Sequence, residues 1–117
     1  MYVAAAASPT AVPTAKTDFV DAEAATAGKG FNVIGWSPEG KVYFNYATTI
    51  AANSFSVGAQ ANIDGIAPNQ IWGYIHGPNA TASNSCPATG VWDAAASSAS
   101  ILDQVGPCNG TSGQSDF

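Results

Sequence analysis

From Phe31 onward, hydrophobic and polar positions alternate in short runs divided by turn residues, a pattern with the two-residue period of half-buried strands. Phe31–Trp36 is the first run and predicts a strand. Ser37-Pro38-Glu39-Gly40 follows, with Pro and Gly where a β-turn uses them. Lys41–Tyr46 then sets Val42, Phe44 and Tyr46 on one face and Tyr43 and Asn45 on the other. Run, tight turn and run together predict a hairpin. Ser54–Ile63 alternates again, with Phe55 and Val57 pointing one way, until Asp64-Gly65 and Ala67-Pro68-Asn69 break it. Gln70–His76 is dense in β-formers and predicts a strand with faces Ile71/Gly73/Ile75 and Trp72/Tyr74/His76. Gly90–Asp93 predicts a brief pairing, and Ala94–Gln104 a helical turn or a loop.

The chain before Phe31 reads differently. Residues 1–17 are rich in Ala, Pro and Thr and predict a flexible or extended N-terminal arm. Met1–Ala7 is apolar, but no basic flank precedes it and Pro9 and Pro13 follow, so it is not a complete signal peptide. Asp18–Ala27 has helical propensity without an apolar stripe, and Gly28 and Gly30 end it. A single β-rich domain is therefore expected over residues 18–117. There is no alternation of strands with helical patterns and no internal repeat. The predicted class is all-β, a small Greek-key β-sandwich or partial barrel.

Composition changes this picture in two ways. Apolar residues make up 46% of the chain, but many are alanine, which adds little core volume; three Trp, four Tyr and five Phe are the large candidates. Such a thin core needs a staple or a partner. Cys86 and Cys108, 22 positions apart in polar surroundings, read as a disulfide worth about 3 kcal/mol, the alternative being two free thiols. Charge is the second change. Only 9% of residues are charged, with three Lys, no Arg and a net charge of -5, so the chain cannot displace counterions from a polyanion. Nucleic acid is excluded as a partner, and no run approaches the ~18 apolar residues of a membrane span. Neutral polar residues with a disulfide point to an extracellular or cell-surface protein. The sequons Asn79-Ala80-Thr81 and Asn109-Gly110-Thr111 fit a glycosylated one.

The most specific text is Tyr74-Ile75-His76 followed, nine residues beyond His76, by Cys86-Pro87-Ala88-Thr89-Gly90-Val91-Trp92-Asp93. It resembles the metal-site region of the fungal cell-surface copper-only superoxide dismutases. In that family a His-x-His strand runs into a loop, a Cys-x-Ala-Thr-Gly stretch and another His. Ser37–Val42, Ile63–Pro68 and Gly106-Pro107-Cys108 resemble the family's early hairpin turn, the strand end before the His-x-His strand and the second half-cystine. The likeness is close over His76–Gly90 and loose over Trp36–Cys108. An extracellular chordin-type repeat shares the His-Gly-Pro strand end but not Cys86–Gly90. The departures are decisive for chemistry. Tyr74 and Trp92 stand where the family has histidines, and His76 is the only histidine in the chain. Copper needs several converging imidazoles, so the resemblance implies ancestry with the metal site lost.

Other chemistry is thinly represented. A hydrolytic triad would need His76 as its base, and no Gly-x-Ser-x-Gly elbow occurs. Asp64 and Asp93 are conceivable paired carboxylates but are equally turn-formers. One His and two disulfide-bonded Cys exclude zinc. Expected, therefore, is a secreted, non-enzymatic binding module without metal or cofactor, whose partner is a protein, a glycan or another copy. Its candidate binding residues are Trp72, Tyr74, His76 and Trp92, although strand aromatics also serve simply as packing. Trp36, Trp72 and Trp92 are candidates for sugar stacking as well as for the core. The alternative is a structural subunit of an extracellular assembly, with the arm completing a neighbour's sheet.

Overall fold

The computed structural model describes residues 3–63, 65, 69–78 and 80–112. Asp64 and the sequon residue Asn79 lie outside them. The chain is all-β. Its main sheet has five antiparallel strands in the order β1-β4-β5-β6-β9: β1 (Ala5–Ser8), β4 (Asn45–Ala51), β5 (Ser54–Ala61), β6 (Gln70–His76) and β9 (Val105–Pro107). Two short ribbons accompany it, β2 (Thr17–Asp18) with β3 (Lys41–Val42) and β7 (Val91–Asp93) with β8 (Ser98–Ile101).

The hairpin expected between Phe31–Trp36 and Lys41–Tyr46 does not form. Phe31–Ile34 is a turn of 3-10 helix between Gly30 at φ +85° and Gly35 at φ +69°. Both positive-φ conformations, left-handed helical at Gly35, suit glycine and end an extended run. Lys41–Val42 pairs instead with Thr17–Asp18. The long hairpin is β4–β5, in register from Asn45↔Gln60 to Ala51↔Ser54 around Ala52 and Asn53. Its turn contains neither Gly nor Pro, although Ala52 sits at φ +45°. In the N-terminal segment, residues 5–8 form an edge strand on β4.

Register decides which side chains share a face. Gly58↔Gly73↔Gly106 forms a row of glycines across β5, β6 and β9, with Ala47 beside Gly58 on β4. Over this row lies the disulfide layer. Cys86 and Cys108 are bonded at 2.01 Å and pack with Ile75, Ala80 and Val91 into the core. The fit is close: a Cβ built on Gly73 would stand 2.5 Å from Cys86 Sγ, and one on Gly58 2.3 Å from the Ser83 carbonyl. Hydroxyls fasten the same layer. Ser56 Oγ donates to the Thr81 carbonyl, Thr49 Oγ1 donates to it at 2.8 Å, and Asn84 Nδ2 donates to Asn45 Oδ1 at 2.9 Å.

A second cluster forms where residues 19–36 cross the β1/β4 end of the opposite face. Phe19, Phe31, Trp36 and Tyr46 make edge-on and tilted ring contacts with centroids 5.1–5.6 Å apart around Trp36, the preferred geometry for aromatic pairs. Phe31 is buried there, while Trp36 remains 38% exposed. None of the three tryptophans is fully buried.

Candidate functional site

The face opposite the glycine row carries the large side chains. Alternation along β6 places Trp72, Tyr74 and His76 there, and pairing brings Ala59, Val57 and Phe55 of β5 alongside them in that order. Phe55 stacks on Tyr74 at 5.7 Å and lies 5.3 Å from the His76 ring. Val105 of β9, directly across from Tyr74, is 77% exposed, and Ile50 of β4, beside Phe55, is also exposed. Trp72, Tyr74, Phe55 and His76 are half-buried.

One carboxylate joins these rings. Asp103, in the connection from β8 to β9, lies 2.6 Å from His76 Nδ1 and 3.4 Å from the Tyr74 hydroxyl. A carboxylate only accepts, so Nδ1 is the protonated nitrogen and donates. Asp103 has φ +59°, a conformation non-glycine residues rarely adopt. Its N–H donates to the Ile75 carbonyl at 2.8 Å. That bond and the left-handed turn hold the carboxylate over the end of β6. The side chains of His76 and Asp103 are 41% and 56% exposed, so the pair is open to solvent.

Trp92 does not join this group. It lies on β7, with its indole against the Gly110 backbone. Gly110 follows Cys108, whose N–H bonds the Ile71 carbonyl at the start of β6, whereas His76 is at its end. Of the residues singled out from the sequence, Trp72, Tyr74 and His76 share a surface and Trp92 stands apart. Phe55 and Asp103 were missed as site residues. Phe55 had a signal in the alternation of β5, but Asp103 arrives from a loop that no strand pattern announces.

The donor set does not fit a redox copper. A single imidazole is present, and its Nδ1 is engaged by Asp103. Among the described residues no three His, Cys, Asp or Glu side chains converge. An open recess of about 350 Å³ lies elsewhere, within residues 9–17, and Lys16 is the only ionisable group in its lining. At Asn109 the side-chain carbonyl accepts from the Thr111 N–H, the Thr111 hydroxyl and the Ser112 N–H, at 3.1, 2.8 and 2.8 Å, so this sequon is folded into an Asx-type turn. No helix among the described residues is long and apolar enough to cross a membrane.

No protein-family model, curated protein or solved structure matches this chain.

Proposed function

We propose that this protein is a non-catalytic, extracellular binding module that engages its partner through the ring-bearing face of β5 and β6. The observation that carries the reading is the placement of Trp72, Tyr74, His76 and Phe55 on the face opposite the disulfide core, with Asp103 held beside Tyr74 and His76 at positive φ. A backbone kept in a sparsely populated conformation that delivers a carboxylate to an aromatic surface is a recurrent mark of a functional site. The disulfide fits an oxidising compartment.

The chemistry of the face suits a glycan best. Flat rings stack on the C–H faces of sugars, one carboxylate accepts hydroxyl hydrogens, and no Lys lies on these strands to draw an anion. Superoxide dismutase-like descent is part of the same proposal, supported by Tyr74-Ile75-His76 and Cys86–Gly90. Tyr74 then marks a ligand position turned to binding, while Trp92, near the other end of β6, takes no part in the face. The alternative assembly reading, in which the arm completes a neighbour's sheet, requires β1 to leave the β4 edge that it occupies in its own sheet.

The test is retention of the purified chain on immobilised neutral polysaccharides, wild type against Trp72→Ala/Tyr74→Ala, with copper titration in parallel. Retention should fall at least about tenfold in the double variant, with its melting temperature little changed because both side chains are half-exposed. Retention indifferent to the two rings would sink the binding face. Stoichiometric copper with superoxide turnover would sink the non-catalytic assignment.

A further inference from the structure

An edge strand presents a row of outward backbone groups that invites another strand to pair. In β1 the register Ala5↔Thr48 turns Ala5 toward β4 and leaves Ala4 and Ala6 facing out. Three of their four groups are nevertheless occupied. The Gly30 N–H donates to the Ala4 carbonyl at 3.2 Å, the Ala6 N–H donates to the Glu23 carboxylate at 2.6 Å, and the Ser8 hydroxyl donates to the Ala6 carbonyl at 3.1 Å.

The loop that supplies these partners is braced. Asp21 accepts from the Glu23 and Asn32 N–H groups at 3.0 Å each. The Asn32 amide donates to the Ala24 carbonyl at 3.0 Å, and the Ala22 N–H donates to Ser8 Oγ at 2.8 Å. A Cβ on Gly30 would meet Asp21 Oδ2 at 2.7 Å, so glycine stands where the loop closes on its own brace. The opposite edge is blocked differently: β9 is three residues long and contains Pro107, which has no N–H to offer.

We propose that loop 21–30 is a guard on the β1 edge, and that what it excludes is β1 of a second copy of this chain. The strand suits itself as a partner. Residues 3–15 carry no charge, so two copies meet without repulsion. The small side chains of Ala4–Ala7 let a second backbone approach, and antiparallel pairing about a two-fold axis matches like with like. This inference is independent of the ring-bearing face.

Sedimentation velocity over a concentration series tests it on the full chain. Wild type should stay monomeric. Asp21→Ala/Glu23→Ala, which removes both the cap on Ala6 and the brace of the loop, should self-associate at least about tenfold more tightly. Adding Ala6→Pro to that variant deletes the exposed N–H at a position where an edge strand tolerates proline, and should restore the monomer. Should the double variant fail to fold, Glu23→Ala alone removes the cap and keeps the brace. A folded, disulfide-intact variant as monomeric as wild type overturns the proposal. So does association that Ala6→Pro leaves undiminished, because the contact would then lie elsewhere.

Discussion

On one face of the main sheet, Gly58, Gly73 and Gly106 lie in a row beneath a disulfide and a loop backbone; on the other, Phe55, Trp72, Tyr74 and Val105 stand at the surface. The usual assignment puts large apolar side chains inside and small ones wherever space is short. Here the covering layer on the glycine side is backbone and sulfur at contact distance, which only a strand stripped of side chains admits. Its fully buried apolar side chains among the described residues are few: Ile75 and the two half-cystines, with Val91 nearly so. Burial of apolar area is correspondingly small, and covalent and hydroxyl ties take over part of the task. The opposite face keeps its rings because no backbone can approach them so closely. Rings that the core does not require are available for binding.

Breaking the staple should have the largest effect on this contrast. Cys86→Ala/Cys108→Ala opens a loop of 22 residues and should lower the unfolding free energy by about 3 kcal/mol in urea titrations. A loss below about 1 kcal/mol would mean that the hydroxyl ties from Ser56, Thr49 and Asn84 hold the layer without the bond.

Gly73→Ala tests the closeness of the layer and should cost about 2 kcal/mol through overpacking. Two of the three nearest atoms to the added methyl are the sulfurs, at 2.5 and 2.9 Å, and the third is the Val57 carbonyl oxygen at 2.9 Å. In the cysteine-free background the same substitution should therefore cost clearly less. A double-mutant cycle measures that coupling. Equal costs in both backgrounds would place the strain at the Val57 carbonyl rather than at the disulfide.

These two faces were partly legible before any coordinates. The alternation in Gln70–His76 separates Ile71/Gly73/Ile75 from Trp72/Tyr74/His76 correctly, because a strand's period is a local property. The Cys86–Cys108 pairing was legible because no other partner exists. What failed was pairing between segments. Phe31–Trp36 has strand composition, yet Gly30 before it and Gly35 within it take positive φ, and Asp21 takes the Asn32 N–H. The turn at Ala52 and Asn53 carries neither Gly nor Pro, and a lone Asn is a weak announcement of the β4–β5 hairpin. Asp103 reaches His76 only because β9 returns beside β6. Such neighbours are fixed by register across the sheet, which no single run encodes.

The smallest effect distinguishes the covered end of the ring-bearing face from its open end. Tyr46 lies on that face, but Trp36 packs against its ring at 5.1 Å, with Phe19 beyond. Burial there raises the phenol above its ordinary 10.0, because the ionised form loses hydration. The folded state thus holds this proton more tightly than the unfolded state does. The corresponding stability is fully present below the unfolded value near pH 10 and is lost as pH rises through the raised folded value. Tyr46→Phe removes that component alone. Unfolding free energies compared between about pH 9 and pH 11 should fall more steeply in the wild type than in the variant, since the rest of the chain is common to both. Parallel declines would show that the ring cluster leaves Tyr46 as hydrated as an open residue, and the two ends of the face would then be alike.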